Sequence, residues 1–217
     1  FDKAAQYFDV KIVRIPTRAD LRADVDAIQQ ALSEDTILIV ASAPSYPHGV
    51  VDPIAEIARI AKEHRILFHV DACVGGFLLP FARQLGYPIP DFDFSVPGVT
   101  SMSADLHKYA YAAKGASVVL YRDSELRRHQ FFAHADWPGG IYASPSMAGT
   151  RPGGAIAAAW AVMNYLGMQG YSAITDTVMQ AAQRIRAGVE RIPEVYVLGE
   201  PDMSILSIAS DDLDVYA

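Results

Sequence analysis

The sequence predicts an α/β protein with a mostly parallel sheet covered by helices. Two observations carry that prediction: apolar, β-branched runs alternate with stretches of helical periodicity, and their strand–helix–strand spacing fits a βαβ unit. Residues 10–15 read as a short strand, after which Leu21, Val25, Ile28 and Leu32 recur at helical spacing. Residues 36–43 are a β-branched run ended by Pro44-Ser45-Tyr46-Pro47-His48-Gly49, a loop by its Pro and Gly content. Asp52 followed by Pro53 predicts a helix start, with Asp as N-cap and Pro at the first helical position. Ile54, Ile57, Ala58 and Ala61 continue that helix to about Arg65. Residues 66–70 form the next strand, and Asp71 stands at its carboxyl end.

Gly75-Gly76 breaks the chain there, and a Pro-rich connection over 88–97 leads to a short strand, 100–104, ending just before Lys108. Residues 115–121 read as the following strand. Residues 138–152 are too rich in Gly and Pro for regular structure and long enough to be functional. Helices are expected over 155–166 and 174–192, then strands at 195–198 and 204–209 that open a smaller C-terminal α/β domain. The expected division is a large domain over 1–165, incomplete at its N-terminus, and 166–217 as linking helices and the start of that small domain. The chain, which begins at Phe1, reads as an internal piece of a longer protein.

Composition narrows the function. Of 217 residues, 51% are hydrophobic and 20% charged, which fits a packed core and excludes disorder. A net charge of -7 disfavours nucleic acid or an anionic membrane surface as the main partner, so any phosphate must be met by a local cluster. The single Cys73 excludes an internal disulfide and fits a reducing compartment; a cytoplasmic location is expected. No G-x-G-x-x-G, G-x-x-x-x-G-K-[ST] or G-x-S-x-G occurs, and His129 and His134 lack the H-E-x-x-H arrangement, so metal catalysis is not expected.

What remains is an acid and an amine, each at the end of an apolar run: Asp71 in His69-Val70-Asp71-Ala72 and Lys108 in Leu106-His107-Lys108. Ligands of open parallel sheets sit beyond the carboxyl ends of strands. An Asp or a Lys at a strand end is ordinarily a turn or solvated residue; together they suit pyridoxal 5'-phosphate (PLP). The Lys amine forms a Schiff base with the cofactor aldehyde, and the carboxylate keeps the pyridine nitrogen protonated, so that the ring accepts electrons. Ala72 is small enough for the flat ring to lie against, and His107 can donate to a phosphate. Cys73 reads as a small buried hydrophobe.

These strings resemble sphingosine-1-phosphate lyases. The wider likeness, His69-Val70-Asp71-Ala72 with His107-Lys108, is common to PLP-dependent amino-acid decarboxylases of group II. The narrower one rests on Ser42-Ala43-Pro44, Cys73-Val74-Gly75-Gly76-Phe77, Gly140-Ile141-Tyr142-Ala143-Ser144-Pro145 and Ala148-Gly149-Thr150-Arg151-Pro152-Gly153-Gly154, and the likeness runs over nearly the whole chain. It implies a fold type I PLP-dependent transferase-like large domain in a homodimer whose active sites lie at the subunit interface. It implies Lys108 as the Schiff-base lysine, Asp71 as the partner of the pyridine nitrogen and His107 as a phosphate contact. Lys114 and Tyr142 match positions assigned to proton transfer or substrate contact, and Thr150 a hydroxyl that helps bind cofactor phosphate across the interface. The substrate it implies is a phosphorylated long-chain base, cleaved by retro-aldol chemistry to a long-chain aldehyde and phosphoethanolamine. The rivals are an amino-acid decarboxylase acting on glutamate or an aromatic amino acid, and a catalytically silent homologue serving as an interaction module.

The sequence departs from the family in two places, the first of little consequence. Ala110 stands where Gly commonly follows the His-Lys-Tyr string. The family draws a phosphate-binding segment and a ring-stacking His from sequence preceding Phe1, so an incomplete site is expected here. Eukaryotic members carry an N-terminal membrane anchor, and the resemblance leaves membrane association of the parent protein open.

Overall fold

The structure is a computed structural model that describes residues 1–215; the last two positions of the expected 166–217 unit lie outside the described residues. Its centre is a four-stranded sheet in the order β1 (Leu38–Ser42), β2 (Leu67–Asp71), β3 (Ser101–Ala104) and β4 (Val118–Tyr121). β1, β2 and β3 run parallel, and β4 closes the edge antiparallel to β3. The expected α/β class with a mostly parallel sheet is what the chain adopts.

Between β1 and β2 lies α3 (Ile54–His64), the crossover helix of the βαβ unit. Ile54, Ile57, Ala58, Ile60 and Ala61 form its buried stripe, and Arg65 in the left-handed region ends it. The stripe packs on Ile39, Ala41, Phe68 and Val70, the alternate residues of β1 and β2. Each Ile, Val or Phe side chain among them contributes roughly 1.5–3 kcal/mol when fully buried. Because strand side chains alternate, the same core that takes Phe68 and Val70 forces His69 and Asp71 to the opposite face.

The remaining helices are short, with one exception. They are α1 (Asp2–Tyr7), α2 (Val25–Ala31), α4 (Leu79–Gln84) and α5 (Ser124–Arg127); α2 is capped by the Asp24 carboxylate, which accepts from the amides of Asp26 and Ala27. The exception, α6, spans Gly153–Val189 and is interrupted at Gly167, whose φ of 56° no helix contains. It thus joins the two expected helices, and the boundary expected after 165 falls just before that break. β5 (Phe132–His134) pairs with β6 (Tyr142–Ser144), and β7 (Tyr196–Val197) with β8 (Ile208–Ala209), both antiparallel. No described helix is long and apolar enough to cross a membrane.

Three local expectations fail, each for a physical reason. Residues 10–15 form no strand: the segment pairs with no described strand, and Val10, Ile12 and Val13 stay exposed, while only Ile15 packs against the core. Residues 138–152 are not wholly irregular, because Tyr142–Ser144 finds a ladder partner upstream in Phe132–His134. Asp52 is not a helix cap. Pro53 takes that place, while the Asp52 carboxylate accepts from the amides of Ala23 (2.9 Å) and Ser42 (2.7 Å) and so ties the N-terminal segment to the end of β1.

Candidate active site

β2 and β3 set the site by register. His69 lies opposite Ser101 and Asp71 opposite Ser103, so four polar side chains share the sheet face that the core does not use. After Asp71 the chain turns sharply through Gly75–Phe77, a single 3-10 turn. Both glycines are needed for close approach: a Cβ on Gly75 would lie 2.2 Å from the Ala43 carbonyl oxygen, and one on Gly76 2.7 Å from the Ala104 Cβ. The turn is thereby pressed onto the ends of β1 and β3. After Ala104 another tight turn, with the Lys108 amide donating to the Asp105 carbonyl, brings Lys108 back over the strand ends.

The result is a cavity of about 290 Å³ at the carboxyl end of the parallel strands, lined by Asp71, Cys73 and Lys108, by Ser42 at the end of β1 and by Ser45 and Tyr46 from the loop that follows it. Asp71 and Lys108, far apart in sequence, meet here. The Asp71 Oδ1 accepts two bonds, from the Cys73 amide (3.1 Å) and from the Ser103 hydroxyl (3.2 Å). Its Oδ2 accepts none from the described residues, so one carboxylate oxygen is fixed by the protein and the other is left for a ligand. A cationic ring nitrogen is the partner that such an oxygen suits.

Lys108 Nζ lies 2.7 Å from the Asp105 Oδ2. Burial alone would ease the amine towards neutrality, but the hydrogen bond and charge of Asp105 outweigh it and hold Lys108 above the usual lysine range. Asp105 is buried in turn, which favours its neutral form; its bonds to Lys108 and Ser117 prevail and keep it below the ordinary carboxylate range. Cys73 also lines the cavity, with its thiol 3.2 Å from the Ser103 hydroxyl, and burial pushes it up to about 12.

Other expected site residues lie elsewhere. Ala72 is fully buried in the core and lines no part of the cavity: alternation turns it inward and sends Cys73, one residue on, to the face that Asp71 uses. Of the two, Cys73 and not Ala72 faces the cavity. His107 does not reach the cavity either; its Nδ1 donates to the Ala116 carbonyl (2.8 Å) and its Nε2 stands 3.6 Å from Asp105. Lys114 is exposed in the loop before β4, Tyr142 is exposed on β6 with its ring beside Phe132, and Thr150 is exposed in the segment leading to α6. None of these three lines the cavity. Sequence reading also passed over Asp105, Ser103 and His69. The signals were present: Asp105 is three residues before Lys108 within one turn, and His69 is two residues before Asp71 on one strand face.

The family model described as the pyridoxal-dependent decarboxylase conserved domain matches residues 1–208. The chain belongs to the pyridoxal-dependent decarboxylase family. PLP is therefore its cofactor, and the free Asp71 oxygen facing the same cavity as Lys108 fits that group. Within the family, the chain is 53% identical to the sphingosine-1-phosphate lyase of Arabidopsis thaliana over 100% of its length and 40% of the relative's. It is 50% identical to sphingosine-1-phosphate lyase 1 of Rattus norvegicus, over 100% of this chain and 38% of that one. The solved sphingosine-1-phosphate lyase of Burkholderia pseudomallei superimposes with a TM-score of 0.97 at 44% identity, covering 100% of this chain and 49% of that one. The chain thus spans about two fifths of the length of the curated relatives named here.

Proposed function

We propose that the full protein is a PLP-dependent carbon–carbon lyase that cleaves sphingosine 1-phosphate or a related phosphorylated long-chain base to a long-chain aldehyde and phosphoethanolamine. The observation that carries this reading is the likeness to sphingosine-1-phosphate lyases across the entire chain, in sequence and in backbone. Bound in the cavity, PLP supplies the electron sink for the pair released when the C2–C3 bond breaks. Lys108 would provide the amine that holds the cofactor. Asp71, with one oxygen anchored by Cys73 and Ser103, presents the other to the ring nitrogen and keeps it cationic. A base must take the proton of the C3 hydroxyl, and the candidates are Tyr142, Lys114 and a bound phosphate.

We further propose a homodimer in which the exposed β5–β6 hairpin and the segment after it serve the partner's cavity, with Tyr142 near its substrate and Thr150 near its cofactor phosphate. Their distance from the cavity of their own chain supports this. It is tested by mixing two inactive full-length variants, Lys108→Ala and Tyr142→Phe: restored turnover on mixing is expected, and none would leave each site to its own subunit.

The activity itself is tested on the PLP-loaded full-length protein with sphingosine 1-phosphate. Long-chain aldehyde and phosphoethanolamine are expected in equal amounts, and Lys108→Ala should abolish both. Carbon dioxide released from an amino acid, without aldehyde from the phosphorylated base, would assign the protein to decarboxylation instead.

A further inference from the structure

Ser103 stands between Asp71 and His69 on the polar face of β2 and β3. Its hydroxyl is 3.2 Å from the Asp71 Oδ1, 3.2 Å from the His69 Nε2 and 3.2 Å from the Cys73 sulfur. On its other side, His69 Nδ1 lies 2.9 Å from the Ser101 hydroxyl. A hydroxyl has one proton to give. If Ser103 gave it to His69, its lone pairs would face an ionised Asp71, a repulsive contact; the bond to the carboxylate forms only if Ser103 donates to Asp71. His69 Nε2 must then carry a hydrogen and donate to Ser103, and its Nδ1 must accept from Ser101. One direction of donation satisfies every contact: Ser101 to His69, His69 to Ser103, Ser103 to Asp71. Burial holds His69 below the usual histidine range, which keeps the ring neutral as this chain of donors requires, against the opposing charge of Asp71.

We infer that Ser103 and His69 are positioning residues for the cofactor, which lock one Asp71 oxygen through a one-way hydrogen-bond relay so that the other is held for the pyridine nitrogen. The inference rests on the cofactor assignment above and adds two residues to it. Register makes the relay possible: the pairs His69–Ser101 and Asp71–Ser103 are direct cross-strand neighbours, so the two serines lie beside His69 and Asp71 on one sheet face. A serine merely tolerated at an exposed strand position would not need His69 in one tautomer.

The test uses the full-length protein and 15N-labelled PLP. Two quantities are read: the dissociation constant for PLP and the 15N chemical shift of the ring nitrogen, which reports its protonation directly. In the wild type the nitrogen is expected to be protonated at neutral pH. Ser103→Ala should raise the dissociation constant roughly tenfold, the size of losing one hydrogen bond to a charged group, and move the 15N signal towards the unprotonated value. Ser103→Thr, which keeps the hydroxyl, should restore both. Ser103→Cys preserves volume with a weak donor, so it reads the same loss should the alanine variant fail to fold. Ser103→Ala with wild-type affinity and wild-type ring protonation would overturn the relay while leaving Asp71 in place. A wild-type protein that does not bind PLP would instead overturn the cofactor assignment itself, and one that binds it with the nitrogen unprotonated would overturn Asp71 as the ring partner and the relay with it.

Discussion

Asp52 and Asp71 are both held by backbone amides near the carboxyl ends of the parallel strands, yet they do opposite work. Asp52 spends both oxygens inside the protein, one on the Ala23 amide and one on the Ser42 amide. Burial raises its proton affinity, and those two amides offset only part of that cost. Asp71 spends one oxygen and leaves the other facing a cavity. A saturated carboxylate is a staple; a half-saturated one at a strand end is an invitation to a ligand. The count of acceptors left over separates the two roles.

The largest effect should come from removing that leftover charge. Asp71→Asn in the full-length enzyme is expected to cut turnover by roughly a hundredfold or more, the scale of losing one charge-stabilising group in an active site, with little change in thermal stability. Turnover near wild type would dissolve the distinction between the two carboxylates. Cys73 sharpens it from another side. It lines the cavity, but with its thiol moved from 9.0 to about 12 its thiolate fraction near neutral pH is roughly a thousandfold below that of an ordinary thiol. Alkylation by iodoacetamide, followed by mass spectrometry on the apo-protein, should be correspondingly slow; labelling at the rate of a free thiol would mean that the burial raising this group is not present in solution.

The mirror experiment is Asp52→Ala. It strands two amide donors in a buried setting and should cost on the order of 3 kcal/mol of stability, read by chemical denaturation, while PLP affinity stays at the wild-type value. A variant of unchanged stability that binds PLP poorly would reverse the two roles.

How much of this was legible follows from the same contrast. Asp71 and Lys108 could be read because their chemistry is stated by residue type and by position at the end of an apolar run. The supporting residues could not, because His69, Ser101 and Ser103 become neighbours only when β2 and β3 pair in one register, a fact of tertiary structure. Ala72 was misplaced by reading adjacency along the chain as adjacency in space; period-2 alternation, visible in the sequence, would have chosen Cys73. Asp52-Pro53 carries a correct helix-start signal whose carboxylate is claimed by two amides from distant segments, and local preference loses to that demand. Residues 10–15 have strand composition but no strand to pair with. Tyr142 shows the converse, a Gly-rich neighbourhood that is ordered because a partner strand lies just upstream.

Asp105 tests the boundary between the two classes. Like Asp52 it is buried and fully engaged, accepting from Ser117 on one oxygen and facing Lys108 and His107 with the other. Unlike Asp52, its partner is the amine that does the chemistry. Lys108 is raised in the folded chain, so this pair stabilises fully below the ordinary lysine range and loses that contribution as pH rises through the folded value. Asp105 is lowered, so its share is present above the ordinary carboxylate range and fades as pH falls through its own folded value. The window of stabilisation therefore covers neutral pH and closes at both ends. More than a third of the Lys108 side chain is open to solvent, which screens the pair, and the effect on stability is expected to be small. The effect on reactivity is not screened in the same way, because a proton must leave Lys108 before the amine can attack. Asp105→Asn removes the charge that holds that proton and leaves at most a neutral acceptor in its place. Reductive methylation of Lys108 in the apo-protein, followed by mass spectrometry across pH, should then show a profile displaced to lower pH relative to the wild type. A profile that stays in place would make Asp105 a staple of the Asp52 kind.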